Sequence, residues 1–418
     1  MRTPVSSVVG QRCLLAVTLS VISFGLLTSC TEPPPKGATV TQVQPTQSFE
    51  QWRDGFRAQA LAAGISAQTF DAAFEGIEPD DSVVTADRSQ PEFTRPVWQY
   101  LESAVSAARV RNGQARSLEN ADVLQRIETT YGVDRATVVA IWGMESNFGQ
   151  QMGSKNVIRS LATLAYEGRR PDFGRDQLIA ALQILQHGDV PARNMIGSWA
   201  GAMGQTQFIP TTYNRYAVDF DGDGRRDIWG SSEDALASTA NYLHVSGWQP
   251  GRTWGFEVRL PEGFDYAQAD MSIRKPIAQW RRLGVQPVNG NLPTDPAGEA
   301  SLLIPAGYRG PAFLVTDNFR AILTYNNSTS YALAVGLLAD SFKGGGQLIG
   351  QWPVDERPLS RSERIELQQK LMEHGYALGT LDGIIGANTR QAIRAYQAAI
   401  HWPADGYPTQ ALLERLRN

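Results

Sequence analysis

Before Gly251, apolar side chains recur every three or four positions, a spacing that predicts amphipathic helices. The segment from Phe49 to about Arg111 is predicted to be helical, with breaks near Gly64, Pro79 and Pro91. Further helices are predicted at 121–131, 178–187 and 331–339. The pattern therefore predicts a mainly helical protein.

The pattern changes after Gly251, where short apolar runs are bounded by Gly and Pro. Residues 256–260 (FEVRL) alternate between apolar and polar positions, which is typical of a half-buried strand. The runs 301–305 and 311–315 are also predicted to be strands. The fold class expected from these patterns is α+β with mainly α structure and a small β insertion.

The most informative carboxylate lies in the segment 140–149, AIWGMESNFG. Asp134 is suited to cap a helix, and Gly149 is suited to end it. One face of this helix would carry Val138, Ile141, Trp142 and Glu145. A carboxyl group held against apolar side chains has a raised pKa, as a general acid near neutral pH requires. Taken alone, a Glu that faces solvent or pairs with Arg is the commoner case.

A second informative segment is 198–210, SWAGAMGQTQFIP. Gly201 and Gly204 permit a close approach of the backbone to another helix or to a ligand. Gln205 and Gln207 offer donors and acceptors suited to sugar hydroxyl and N-acetyl groups. Helix packing through small residues is the alternative explanation of this segment.

Composition narrows the class of protein. The formal net charge is −4 and the pI is near 5.7, which argues against a nucleic-acid binder with a basic surface. The apolar run 14–27 is too short for a stable transmembrane helix and fits the core of a signal peptide. The only cysteine outside the predicted signal peptide is Cys30, so no disulfide is expected within the mature chain.

The residues LTSC that end at Cys30 resemble the lipobox of bacterial lipoproteins, in which the cysteine becomes the lipidated first residue. An ordinary secretory signal is the alternative. The resemblance implies a periplasmic protein anchored by lipid, and Thr31 after the cysteine favours the outer membrane. The predicted division of the chain is signal peptide 1–29, tether 30–47, catalytic domain 48–350, linker 351–359 and a C-terminal module 360–418.

The two informative segments together, ESNFG at 145–149 and GAMGQTQFIP at 201–210, resemble the membrane-bound B family of lytic murein transglycosylases. Residues 240–242 and 325–335 match further motifs of that family in the same order. The resemblance covers roughly 48–345 and implies a catalytic domain like that of goose-type lysozyme, with Glu145 as the catalytic residue. It also implies a substrate groove formed by Ser146, Met203, Gln207, Tyr242, Tyr325, Asn326 and Tyr331.

Most glycosidases use two carboxylates, but the segment around Glu145 offers no second acid. The resemblance implies a single acid/base and a substrate that supplies its own nucleophile, with peptidoglycan glycan strands cleaved to 1,6-anhydromuramic acid ends. A lysozyme-type muramidase that adds water to the same bond is one alternative. A non-catalytic peptidoglycan-binding lipoprotein is the other.

The segment 219–227, DFDGDGRRD, has the oxygen-bearing residues and the Gly of the first half of an EF-hand calcium loop. The proposed Ca²⁺ ligands are Asp219, Asp221, Asp223, the backbone carbonyl of Arg225 and a closing acid. Position 12 is Gly230 where a Glu is expected, so the resemblance implies that Asp234 closes the loop, with Glu233 as the competitor. An acidic loop without metal is the alternative.

In residues 360–418, Gly residues and Asp-Gly pairs that favour turns recur between segments with a helical spacing of apolar positions. Helices are predicted near 362–374, 387–399 and 408–416. This pattern resembles the three-helix peptidoglycan-binding module, which implies that the segment holds the enzyme on its insoluble substrate. A small helical domain of unknown purpose is the alternative.

Overall fold

The computed structural model describes residues 47–89, 95–289 and 298–418. The predicted signal peptide, Cys30, nearly all of the tether and the break near Pro91 lie outside the described residues. The described residues form seventeen helices and seven short strands, so the prediction of a mainly helical α+β fold is confirmed. No helix within these ranges is long and apolar enough to cross a membrane.

Eleven helices make up most of the described residues up to residue 250. They are α1 Phe49–Ala62, α2 Ala67–Ala73, α3 Asp81–Arg88, α4 Val97–Ala104, α5 Ala107–Glu119, α6 Ala121–Tyr131, α7 Arg135–Ser146, α8 Val157–Glu167, α9 Pro171–His187, α10 Pro210–Tyr216 and α11 Ser232–Val245. The predicted helix at 121–131 has the predicted bounds, whereas the one at 178–187 begins earlier, at Pro171. Proline fits the first turn of a helix because its missing N–H would have no partner there.

The β insertion is a five-stranded antiparallel sheet in the order β4-β6-β7-β3-β5, beside a separate two-stranded pair of β1 and β2. Its strands are β3 Gly255–Arg259, β4 Lys275–Pro276, β5 Gln286–Pro287, β6 Glu299–Leu303 and β7 Ala312–Val315, and the pair consists of β1 Lys155–Asn156 and β2 Ile196–Gly197. All three predicted strands are therefore present within two residues of the expected bounds. Helix α12, Ile277–Arg282, packs its fully buried Trp280 beneath this sheet.

The last helices of the catalytic unit are α13 Asp317–Tyr325 and α14 Thr329–Phe342. Helix α14 carries an unbroken run of nine buried residues, from Tyr331 to Ala339. It shares one hydrophobic core with α7, α4 and α11. A helix that is apolar on all sides must be surrounded by other elements, so α7 and α14 form the centre of the helical unit.

The C-terminal module consists of α15 Arg361–Glu373, α16 Ala387–Ala399 and α17 Gln410–Arg417, close to the predicted helices. It has its own core around Leu367, Ile393 and Leu412. The module is docked against the catalytic unit through polar contacts. Arg394 pairs with Asp270 at 2.8 Å, and Asp405 accepts a hydrogen bond from the Tyr308 backbone N–H at 2.9 Å.

Candidate active site

Helix α7 holds Glu145 on its last turn. Asp134 caps the helix as predicted, because its side chain accepts a hydrogen bond from the Thr137 backbone N–H. The helix ends at Ser146, and Asn147 adopts the left-handed conformation with φ of 49°. The prediction that Gly149 ends the helix is therefore wrong, because Asn tolerates the left-handed region and ends the helix two residues earlier.

The environment of Glu145 favours its neutral form. The residue is half-buried at the end of a helix whose other core positions are fully enclosed. Burial raises the pKa of Glu145 from 4.5 to about 7, and the hydrogen bond from Tyr331 partly opposes this rise. Glu145 is consequently protonated in a large fraction of molecules at neutral pH, as a general acid must be.

Tyr331, on the first turn of α14, is the side chain that orients Glu145. Its hydroxyl group donates to Glu145 Oε1 at 2.5 Å, and only 4% of the residue is exposed. Burial and the nearby Glu145 raise the pKa of Tyr331 well above 10, so its proton stays on the phenol. Tyr331 thus holds Oε1 of Glu145 toward α14, while Oε2 accepts no hydrogen bond from any residue that the structure describes.

Gln205 links the two informative segments. Its Oε1 accepts from Trp142 Nε1 at 2.9 Å, and its Nε2 donates to the Trp229 carbonyl at 3.2 Å. Its own carbonyl accepts from the Ser146 hydroxyl at 2.7 Å. Gln205 is not among the predicted groove residues, and it is buried in the structure. Because its polar groups are paired within the protein, Gln205 supports the fold around Glu145. The sequence does not distinguish this buried glutamine from Gln207, which lies two residues later.

Ser146 and Met203 lie behind the wall of the site. Ser146 is 1% exposed, and its hydroxyl also accepts from the Gly149 backbone N–H at 3.0 Å. Met203 is fully buried and forms a β-bridge with Phe208. Both side chains are buried in this structure, and their predicted contact with the substrate stays a prediction.

Gln207 is half-buried and adopts φ of 52°, which is uncommon for a residue with a side chain. Its amide nitrogen donates to the carbonyls of Met152 and Gly204. Gly204 also has a positive φ, and a Cβ there would lie 2.7 Å from the Ile228 carbonyl. The predicted close approach of the backbone at Gly204 is therefore present. This tight loop fixes Gln207, whose predicted role in binding saccharide stays a prediction.

An aromatic cluster lies beside these loops. Tyr242 stacks on Tyr216 with ring centroids 4.3 Å apart and donates its hydroxyl to the Thr324 carbonyl at 2.8 Å. Tyr325 contacts Tyr242 and donates to the Thr206 carbonyl at 2.7 Å. Asn326, the next residue, is exposed. The structure thus brings Tyr242, Tyr325 and Tyr331 together near Glu145, with Asn326 at the solvent edge.

Among the described residues, no second carboxylate shifts the pKa of Glu145. Within the described ranges, the groups that shift the pKa of Glu145 are the surrounding apolar atoms and Tyr331, and no acidic side chain is among them. A neighbouring carboxylate would raise the pKa of Glu145 further by charge repulsion. The arrangement therefore offers one acid, an orienting phenol and a wall of aromatic rings.

Comparison with known proteins agrees with this geometry. The model of the transglycosylase SLT domain matches residues 48–340. The chain belongs to this transglycosylase family. A peptidoglycan-binding domain model matches residues 360–416. The membrane-bound lytic murein transglycosylase B of Escherichia coli K12 is 31% identical over 300 residues, which cover 69% of this chain and 79% of that protein. The resemblance drawn from the two motifs is confirmed.

Solved structures of the family show the same fold. SltB3 from Pseudomonas aeruginosa, in complex with NAG-anhNAM-pentapeptide, is 70% identical, covers 89% of this chain and 100% of its own, and superposes with a TM-score of 0.87. The lytic transglycosylase Slt35 of Escherichia coli, in complex with calcium, is 29% identical with a TM-score of 0.59 and covers 70% and 92% of the two chains. This member of the transglycosylase family is thus a lytic transglycosylase of peptidoglycan, as predicted.

The acidic loop of this transglycosylase brings three carboxylates together. Asp219, Asp221 and Asp223 offer oxygens that lie within 4.8 Å of one another, and all three residues are exposed. Loop amides orient them, since Asp219 accepts from the backbone N–H groups of Gly222 and Gly224. Hard oxygen donors gathered on one loop suit Ca²⁺, so these residues fit the predicted metal.

The two candidates for the closing acid lie elsewhere. Asp234 is fully buried, and its Oδ1 accepts from the Phe220 and Asp221 backbone N–H groups while its Oδ2 accepts from that of Asp227. Glu233 lies 3.5 Å from Arg126 in a surface ion pair. Asp234 therefore fixes the backbone of the acidic loop through hydrogen bonds from three of its N–H groups. Whether it or the Arg225 carbonyl also binds the metal stays a prediction.

We expect Tyr331→Phe to move the alkaline limb of the kcat/KM profile to higher pH. The Tyr331 hydrogen bond stabilises the carboxylate, so its loss raises the pKa of Glu145 above about 7 and keeps the acid protonated to higher pH. The maximal rate should fall about tenfold because one oriented hydrogen bond is lost. The measurement is the pH dependence of cleavage of soluble glycan.

Tyr242→Phe is the control for this prediction. The hydroxyl group of Tyr242 donates to the Thr324 carbonyl and not to Glu145, so this variant should keep the alkaline limb of the wild-type profile. An unchanged limb in Tyr331→Phe would contradict this electrostatic role.

Proposed function

We propose that the transglycosylase cleaves the bond between N-acetylmuramic acid and N-acetylglucosamine without water, with Glu145 as its single acid and base. The observation that supports this proposal is the half-buried Glu145, with a pKa of about 7, a hydrogen bond from Tyr331 and no acidic neighbour among the described residues. Most hydrolytic glycosidases use a second carboxylate, either as the nucleophile or to activate water. A substrate that supplies its own nucleophile through its N-acetyl and 6-hydroxyl groups does not need one.

In the first step, the proton of Glu145 moves to the glycosidic oxygen, and the bond from that oxygen to C1 of the muramic acid breaks. The carbonyl oxygen of the N-acetyl group of the same sugar bonds to C1 and takes up the positive charge. Tyr331 then stabilises the carboxylate that Glu145 has become, because a hydrogen bond to a charged acceptor is stronger.

In the second step, the 6-hydroxyl group of the muramic acid attacks C1, and the bond to the N-acetyl oxygen breaks. The hydroxyl proton moves to the Glu145 carboxylate, which restores the acid. The product ends in 1,6-anhydromuramic acid, and no water molecule is consumed. A group with a pKa near the working pH can both give and accept this proton.

The test is the mass of muropeptides released from purified sacculi by the protein without residues 1–30. We expect products lighter by one water than the hydrolysed ones. Hydrolysed reducing ends would instead support a lysozyme-type muramidase with an activated water. No release would favour a peptidoglycan-binding lipoprotein without catalysis.

We further propose that Asp219, Asp221 and Asp223 hold a structural Ca²⁺, with Arg225 and Asp234 as the remaining candidates. The support is the convergence of three carboxylates, and the calcium complex of the related Slt35 agrees with it. A bound Ca²⁺ would neutralise the like charges of this loop. We expect Ca²⁺ to raise the melting temperature of the wild-type protein and to have no such effect on an Asp221→Asn, Asp223→Asn double variant. Equal shifts in the two proteins would contradict the site.

For the remainder of the chain we propose the division predicted above, with a peptidoglycan-binding module at 360–418 and a signal peptide at 1–29. Cys30 would carry the lipid that anchors this periplasmic protein, and Thr31 favours the outer membrane as the site of the anchor. Labelling with a radioactive fatty acid tests the anchor, since Cys30→Ala should lose the label.

A further inference from the structure

A cavity of about 710 Å³ lies between the catalytic unit and the C-terminal module. One wall comes from the start of α4 (95–97), the end of β6 (302–305), Asn327 and the first two residues of α14, Thr329 and Ser330. The other wall comes from α15, the start of α16 and residues 405–408. We call this space the interdomain cavity.

The interdomain cavity has an excess of positive charge. Four arginines line it, Arg95, Arg364, Arg390 and Arg394, against two acids, Asp270 and Asp405. Both acids are already bound within the protein. Asp270 pairs with Arg394, while Asp405 accepts from Gln397 and from the backbone N–H groups of Tyr308 and Tyr407.

Two of the four guanidinium groups are available for a ligand. Arg364 donates to the carbonyls of Leu359 and Gly383, and Arg394 donates to Ala269 as well as to Asp270. For Arg95 and Arg390, both exposed, no hydrogen-bond acceptor or ion-pair partner is found in the part of the chain that the structure describes. They project from opposite walls, one from each unit.

The first turn of α16 adds to this positive potential. Ile385, Gly386 and Ala387 line the cavity, and Gly386 begins the helix without a side-chain cap. The first N–H groups of a helix without such a cap remain free to bind an anion. Arginine matches a carboxylate with two parallel hydrogen bonds, so the cavity suits a carboxylate-bearing ligand.

The cavity and the catalytic acid both contact the first turn of α14. Thr329 and Ser330 line the cavity, and the next residue, Tyr331, donates to Glu145. This turn therefore connects the two sites. The muramic acid of peptidoglycan carries a stem peptide with several carboxylates, whereas the sugar rings themselves are largely uncharged.

We propose that the interdomain cavity binds the carboxylates of the stem peptide on the muramic acid that is cleaved, through Arg390 and Arg95. This inference rests on the proposed function. A linked peptide reaches the cavity at high effective concentration once the glycan is bound, so even a weak carboxylate contact selects for it. The C-terminal module is then part of the substrate site, in addition to its role as an attachment to the wall.

The test compares kcat/KM for two soluble glycans of equal length, one with stem peptides and one without. We expect the ratio of kcat/KM with stem peptides to kcat/KM without them to fall at least about tenfold in Arg390→Ala, because one charge-assisted contact is lost. Arg390→Lys should keep part of the ratio, and Arg95→Ala on the other wall should lower it as well. Arg415→Ala, an exposed arginine of the same module outside the cavity, is the control and should keep the wild-type ratio.

The outcomes separate the two proposals. A wild-type ratio in both Arg390→Ala and Arg95→Ala would overturn the stem-peptide site, as would an equal loss on both glycans, which indicates a structural effect. A wild-type protein that leaves hydrolysed ends on both glycans would overturn the proposed reaction instead. As a second measurement, Glu145→Gln protein should bind the free pentapeptide more tightly than its C-terminal amide; equal binding would contradict recognition of the carboxylate.

Discussion

Glu145→Gln is expected to lower the rate of peptidoglycan cleavage by on the order of a thousandfold or more, because it removes the proposed acid and base of the reaction. Gln has the shape of Glu and can still accept the hydrogen bond from Tyr331, so the fold around α14 should remain. The measurement is the release of muropeptides from sacculi. A residual rate within tenfold of wild type would contradict the mechanism.

The same variant should be more stable than wild type above neutral pH. Folding raises the pKa of Glu145 from 4.5 to about 7, so the folded state holds a proton that the unfolded state has lost. Stability from this group therefore falls as the pH rises from 4.5 to about 7. Gln does not ionise, so we expect a gain of about 2 kcal/mol near pH 8, after allowing for partial solvent access, and almost none near pH 4. Urea unfolding at the two pH values measures it, and an equal gain at both would contradict a buried titrating Glu145.

Asp234→Ala is expected to destabilise the protein by about 3 kcal/mol. The carboxylate of Asp234 is fully buried and accepts from the backbone N–H groups of Phe220, Asp221 and Asp227. Ala would leave three donors without an acceptor, each at a cost of about 1 kcal/mol or more. Urea unfolding measures the change. Asp234→Asn should lose less, because the amide keeps one carbonyl acceptor.

Glu233→Ala is the matched control for Asp234→Ala. Glu233 is the neighbouring acid, and its ion pair with Arg126 is on the surface at 3.5 Å. A pair of this kind contributes about 0–1 kcal/mol, so the variant should remain close to wild type. Equal losses in the two variants would contradict the assignment of Asp234 as the residue that organises the loop.

The sequence alone determined the local features of this protein. A repeat of three to four residues identified α6 and the C-terminal helices, and alternation identified β3, because each pattern reflects which side of an element is buried. Two ordered motifs identified the transglycosylase family and directed attention to Glu145. Its apolar helical face already indicated a raised pKa, and burial in the structure raises it in the same direction.

Only the tertiary structure decided how residues distant in the chain share the site. Tyr331 donates to Glu145 across 186 positions, and Gln205 joins Ser146 and Trp142 from a separate loop. No local pattern distinguishes Gln205, which is paired on all sides, from Gln207, or a buried Met203 from one that lines a groove. The interdomain cavity likewise depends on the docking of Arg394 to Asp270, 124 positions apart. Such contacts arise from the packing of whole elements, and periodicity along the chain carries no information about which elements meet.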